Sequence, residues 1–167
     1  DGEFQQYDAA NPEHRSELSR ALKREAGDQI CASTTFFDLQ PKDYQKDMLE
    51  QLTLEREHGR FRNLIVAATG TGKTVVAAFD YRAACQAMGG RPRLLFVAHR
   101  KEILMQARRT YREVLRAHSF GEMLGGGSEP QSYDHLFATI DSVCARDLVA
   151  RCGPDYWHTV VVDECHR

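Results

Sequence analysis

Ala67-Ala68-Thr69-Gly70-Thr71-Gly72-Lys73-Thr74 is the stretch on which the reading of this chain turns. It follows the apolar run Leu64-Ile65-Val66 and leads into Val75-Val76-Ala77-Ala78-Phe79, a helical pattern. A strand, a glycine-containing loop, Lys-Thr and a helix, in that order, make a P-loop. Glycines let the backbone approach phosphates without a Cβ clash, and here Gly70 and Gly72 supply them, with Ala67 where a first glycine is usual. Main-chain N–H groups and the helix N-terminus then form a nest that favours a polyphosphate. Across Thr69, Gly70, Thr71, Gly72, Lys73 and Thr74, the lysine ammonium would sit between the β- and γ-phosphates. The Thr74 hydroxyl would face Mg²⁺.

Outward from the loop, the pattern from Arg62 onward alternates apolar strands with helices. Strands are expected at 63–67, 93–98, 136–140 and 159–162, with a weaker one at 120–124, and helices at 73–88, 101–117 and 141–151. Gly89-Gly90 with Pro92, Gly125-Gly126-Gly127 and Gly153-Pro154 punctuate them. Near-continuous apolar strands between helices of this length predict a parallel sheet covered on both faces, a three-layer α/β fold. Upstream, Asn11 and Pro12 open a helix that Gly27 stops, with Leu18 and Leu22 on one face, and 34–37 is a short β-prone stretch. Pro41 opens a second helix that runs to about His58, ended by Gly59.

The chain has 167 residues, 42% hydrophobic and 28% charged, ordinary values for a soluble domain with a sizeable core. Its formal charge of −2 argues against a wholly basic nucleic-acid coat. Five scattered cysteines without C-x-x-C spacing point away from a zinc site or disulfide framework and towards a reducing cytoplasm. No apolar run approaches the length of a membrane span. Positive charge is concentrated between Arg91 and His118, and Arg108, Arg112 and Arg116 share one helix face. That face reads either as a solvated surface or as a track for phosphates.

A second motif closes the chain: Val160-Val161-Val162-Asp163-Glu164-Cys165-His166. An apolar strand ending in two carboxylates can set both at the C-terminal edge of the sheet, where ligands of α/β folds bind. Asp163 would hold Mg²⁺ through water, and Glu164 would orient and deprotonate an attacking water. Either motif alone could be a turn or a surface loop; together they support one another. Tyr156 and Trp157, just before this strand, read as packing residues rather than base-stacking platforms.

Together these residues resemble the superfamily 2 helicases and translocases of the DExH type, with Asp163-Glu164-Cys165-His166 as the signature tetrad. Phe96-Val97-Ala98-His99-Arg100 resembles motif Ia of that family, and Phe137-Ala138-Thr139-Ile140-Asp141-Ser142 its motif Ib region. Leu39-Gln40-Pro41-Lys42-Asp43-Tyr44-Gln45 is similar to the upstream adenine-reading segment, whose glutamine, here Gln45, contacts the base. The wording is most similar to Res-subunit-like ATPase domains of type III restriction enzymes. Residues 94–104 and Ala77-Ala78-Phe79-Asp80-Tyr81 are similar to a bacterial subgroup in which the helicase core follows a phospholipase D-like nuclease domain.

The resemblance covers about 36–167 and leaves 1–35 as a helical linker or accessory segment. It implies a RecA-like ATPase domain using ATP and Mg²⁺, with Lys73, Asp163, Glu164 and His166 in the catalytic machinery. His166 would couple the ATP site to nucleic acid, and His99, Arg100 and Thr139 would touch the backbone of DNA or RNA. A second RecA-like domain would supply an arginine finger, worth roughly 10³–10⁵ in rate in related phosphoryl transfer. The tetrad stands one residue from the end of the sequence, so the resemblance implies a piece of a longer cytoplasmic protein. It also implies a gap in the sheet, because the family inserts the next strand between the P-loop strand and the tetrad strand. Such a piece would bind ATP weakly and turn it over poorly. The alternative is a nucleotide-binding regulatory module, or a restriction-system ATPase subunit that does not unwind.

Overall fold

The computed structural model describes residues 39–68, 70–125, 127 and 129–163. The expected N-terminal helix, the 34–37 stretch, Thr69, Glu164, Cys165 and His166 lie outside the described residues. All that is described belongs to one compact unit, Asp38–Arg167. Its elements are α1 (Asp43–Glu57), α2 (Lys73–Met88), β1 (Leu94–Ala98), α3 (Lys101–Leu115), β2 (Glu122–Leu124), β3 (His135–Thr139), α4 (Ile140–Ala145), α5 (Leu148–Cys152) and β4 (Thr159–Val162).

The four strands form one all-parallel sheet in the order β2-β3-β1-β4. β1 is central and fully buried along Leu94-Leu95-Phe96-Val97-Ala98, as expected of a parallel strand covered on both faces. Its alternate residues feed two cores. Leu94, Phe96 and Ala98 join Phe79 and Tyr81 of α2 and Leu104, Ala107, Tyr111 and Val114 of α3 on one face. Leu95 and Val97 join Leu136, Ala138, Leu148 of α5 and Trp157 on the other. The three-layer α/β expectation therefore holds.

The larger core is aromatic. Phe96 stacks on Phe137 at 5.5 Å, and Tyr111 stands edge-on to Phe137 at 5.4 Å and parallel to Phe120 at 6.2 Å. Tyr81 satisfies its buried hydroxyl by donating to the Pro92 carbonyl at 2.6 Å. In the smaller core Trp157 is buried and its indole N–H donates to Tyr133 O at 2.8 Å, so it is committed to packing.

Three expectations change. Residues 61–68 form no ladder, and Leu64 and Val66 are 73% and 83% exposed. Apolar β-branched sequence makes a segment able to pair, but a strand exists only against a neighbour, and no described strand offers one. On the same account β4 pairs with β1 alone among the described residues and exposes Val160 and Val162. The helix expected over 141–151 is two short helices, because Asp147 adopts φ 47° and interrupts the ladder. Strand β3 ends at Thr139 rather than at Ile140, where Thr139 caps α4.

Candidate nucleotide site and sheet edge

The loop that opens α2 carries two left-handed glycines, Gly70 at φ 83° and Gly72 at φ 79°. Thr71 N donates to Ala68 O at 3.3 Å, and the Thr71 hydroxyl donates to the same carbonyl at 2.7 Å, closing a tight turn. α2 begins at Lys73, with Val75 N and Val76 N donating back to Gly72 O at 2.9 and 3.1 Å. Lys73 N and Thr74 N precede the helix's own hydrogen-bond ladder, the kind of main-chain donors that can bind an anion. A Cβ built on Gly70 would meet nothing within 4 Å, so the loop is open on that side.

Lys73 is half-buried, and its ammonium donates to Ala67 O at 2.9 Å and Ala68 O at 3.3 Å. A cation is thus held over the loop, ringed by main-chain groups. These features fit a polyphosphate: a nest of N–H groups, an ammonium beside it and an open approach. Thr74 follows on the first turn of α2 and is half-buried.

Helix α1 packs on this loop through its first turn. Gln45 is buried, its amide donates to Thr71 O at 3.0 Å, and its Oε1 accepts the Lys42 N–H at 3.0 Å. Tyr44 donates its hydroxyl to the same Thr71 carbonyl at 2.9 Å. At the other end of α1, Arg56 makes a two-pronged pair with Asp80 of α2, both contacts at 2.6 Å. The Asp80 carboxylate beside it raises the Arg56 pKa above its ordinary value. Neither Tyr44 nor the Arg56–Asp80 pair stood out in the sequence. Only the adjacency of Tyr44 to Gln45 hinted at the first, and nothing pointed to the second.

The other candidate residues collect at the C-terminal edge of the sheet. His99 and Arg100 follow β1 directly, and Arg100 is the exposed N-cap residue of α3. Thr139 ends β3, where its hydroxyl oxygen accepts the Ser142 N–H at 3.2 Å and donates to Ser142 Oγ at 2.8 Å. Asp163 follows β4, and its N–H donates to Val97 O at 2.9 Å, continuing the ladder just past the Val97–Val162 pair. The registers Ala98↔Thr139 and Val97↔Val162 bring His99, Thr139 and Asp163 to one edge. The segment into the nucleotide loop carries no ladder, so no strand pairing fixes that loop against Asp163.

The basic face of α3 is not a track of three available charges. Arg112 donates to Phe120 O at 2.7 Å and Gly121 O at 3.3 Å, and burial pushes its pKa down. It holds the turn into β2. Arg116 is the C-cap of α3 at φ 51°. Tyr156 is likewise occupied, donating to Asp134 at 2.8 Å with Arg93 over its ring at 4.3 Å.

A parallel sheet with helices on both faces, a glycine-bracketed Lys-Thr loop opening a helix and a carboxylate at the sheet edge are the parts of a RecA-like P-loop domain. Residues 38–167 match the family described as "Type III restriction enzyme, res subunit", and the chain belongs to that family. It is 26% identical over 134 residues to a "Type I restriction enzyme EcoAI endonuclease subunit" from Escherichia coli, covering 76% of this chain and 16% of that protein. It is also similar to the structure of "a nuclease-deletion mutant of the Type ISP restriction-modification enzyme LlaGI in complex with a DNA substrate mimic", at 20% identity and a TM-score of 0.48. That likeness covers 74% of this chain and 12% of the other. No helix among the described residues is long and apolar enough to cross a membrane.

Proposed function

We propose that this chain forms the ATP-binding part of an ATP-dependent DNA helicase or translocase of a restriction-type system, acting in the cytoplasm. The observation that carries the reading is the Ala67–Thr74 loop, whose two left-handed glycines and inward-turned lysine open α2 within a family of restriction ATPases. The chain spans 16% of the length of the curated relative it matches, so the whole protein's work falls to more than this domain.

In this reading Lys73 leaves the Ala67 and Ala68 carbonyls for the terminal phosphates, and Thr74 and Asp163 are the residues that would hold Mg²⁺. The cation would supply charge neutralisation on the phosphates when bound. Glu164 accepts the proton of the attacking water, and His166 links that step to the nucleic-acid side. Gln45 orients the adenine. His99, Arg100 and Thr139 contact the backbone of DNA, or of RNA, without reading sequence. A second RecA-like domain completes the site with an arginine, and a phospholipase D-like nuclease domain precedes residues 1–35, which act as the linker.

The second reading is a nucleotide-binding regulatory module or a restriction-system ATPase subunit that does not unwind DNA, and the match to a restriction endonuclease subunit favours the restriction-system setting. The test is ATP hydrolysis by the full-length protein with and without single- and double-stranded DNA, in wild type, Lys73→Ala and Glu164→Gln. DNA-stimulated turnover lost in both variants, with ATP still bound by Glu164→Gln, is the expected result. Normal turnover by Glu164→Gln would overturn the general-base role, and rapid DNA-stimulated turnover by the 167-residue chain alone would overturn the need for a second domain. Duplex unwinding separates the helicase from the translocase.

A further inference from the structure

Two side chains from the first turn of helix α1 converge on one main-chain atom of the nucleotide loop. The Thr71 carbonyl oxygen accepts two hydrogen bonds, from the Tyr44 hydroxyl at 2.9 Å and from Gln45 Nε2 at 3.0 Å. The contact is close: a Cβ built on Gly72 would lie 2.7 Å from Gln45 Nε2. Gln45 is bound at both ends of its amide, since Oε1 accepts the Lys42 N–H. Tyr44 is 40% exposed, so water is within its reach, yet its hydroxyl is spent on the loop.

The peptide unit that receives these bonds is one that needs holding. The torsions that turn it are ψ of Thr71 and φ of Gly72, and Gly72, at φ 79°, is a residue that crosses between the two halves of φ space at little cost. The Thr71–Gly72 unit can therefore turn over by a concerted change in the torsions beside it. It is trans, as are all the described peptides, so its C=O and N–H point in opposite directions. With the carbonyl fastened to α1, the Gly72 N–H is directed away from α1, as a donor of the nest. Were the unit reversed, a carbonyl oxygen would face an approaching anion in its place.

We propose that Tyr44 is a positioning residue of the nucleotide site. Together with Gln45 it latches the Thr71–Gly72 peptide in the orientation that presents the Gly72 N–H to a phosphate. The inference rests on the loop being a phosphate site, and it assigns to Tyr44 a part in phosphate affinity and none in reading the base. Gln45 has the same latching part whether or not it also contacts adenine.

Titration calorimetry of the full chain with Mg²⁺ and either ATP, GTP or inorganic tripolyphosphate tests it, using wild type, Tyr44→Phe and Gln45→Ala. Tyr44→Phe removes one hydroxyl from an exposed ring, and its thermal midpoint checks the fold. For Tyr44→Phe the expected result is a loss of about three- to tenfold in affinity for ATP and for tripolyphosphate alike, with the ATP-to-GTP ratio unchanged, and Gln45→Ala should likewise lose affinity for tripolyphosphate. Wild-type affinity of Tyr44→Phe for tripolyphosphate overturns the latch, as does a loss confined to the nucleosides. Absence of binding of every probe by the wild-type chain would defeat the phosphate-loop reading and the latch with it. Because that failure shows in the unmutated protein, the two are told apart. An amide NMR measurement needs no variant: the Gly72 N–H of the wild-type chain should shift downfield on adding tripolyphosphate, and an unmoved resonance overturns the proposal.

Discussion

Single residues set the tolerances of this domain, and Gly121 is the most closely enclosed of the described glycines. It sits in the turn that Arg112 holds, at φ 81°, and a Cβ there would lie 2.5 Å from Phe137 Cε2 and 2.9 Å from Cδ2. Phe137 is fully buried between Phe96 and Tyr111, so its ring has nowhere to retreat. Gly121→Ala therefore combines backbone strain with overpacking and should destabilise by about 2–3 kcal/mol, read as a lowered denaturant midpoint at unchanged slope. A midpoint equal to wild type would show that the turn can rearrange. Nothing in the sequence singled this glycine out. Its neighbours Phe120 and Glu122 suggest a strand, and the aromatic ring it abuts is remote in the chain. The residues of the nucleotide loop stood out for the opposite reason, since their spacing is local and their chemistry is carried by adjacent positions.

Among elements, α2 was legible to the residue: Lys73–Met88 is the span that the sequence predicts, bounded by Gly72 and Gly89 in left-handed conformations. α1 was legible as a helix but not as a partner. Its attachment to α2 through Arg56 and Asp80 joins residues 24 apart, and such a pairing leaves no periodic trace. Asp80 is mostly buried, and the pair is two-pronged and charge-assisted, so Asp80→Asn should cost about 1–2 kcal/mol. In a double-mutant cycle with Arg56→Met the two losses should be markedly non-additive; simple additivity would mean that the pair contributes little to α1 docking. The split of 141–151 into α4 and α5 was hidden because the run contains no glycine or proline, and only the left-handed backbone torsion of Asp147 breaks it. The segment 61–68 erred the other way, since its composition favours a strand that its surroundings do not pair.

Over the whole molecule, acid should loosen the sheet from the side of β3. His135 begins that strand, packs against Phe120 at 4.8 Å and has a buried Nε2 with no hydrogen-bond partner. Burial depresses its pKa below the ordinary 6.5. The unfolded chain therefore takes up the proton first as pH falls, and stability declines below about pH 6.5 until the folded pKa is passed. Asp134 beside it has its pKa lowered by the Tyr156 and Ser132 hydroxyls, which adds a further loss at pH below the ordinary carboxylate range. Unfolding midpoints measured from pH 7.5 to 5 should fall in the wild type, and His135→Gln should flatten the slope between pH 6.5 and 5. An unaltered slope in the variant would assign the acid sensitivity elsewhere.

Three-layer architecture and all-parallel pairing were legible because apolar runs and glycine punctuation are properties of the chain itself. The convergence of His99, Thr139 and Asp163 was legible only in outline, since it depends on register, which no single strand contains.

Register gives the central strand a metrological part. β1 is paired in parallel on both sides, so the positions of Thr139 and of Asp163 are both counted off against the same five residues. A strand advances about 3.3 Å per residue, and a parallel ladder permits displacement only in whole steps that also turn every side chain to the opposite face. The edge is thereby graduated like a vernier: an inserted or deleted residue in Leu94–Ala98 would offset both neighbours together, by an increment too coarse for any side chain to correct.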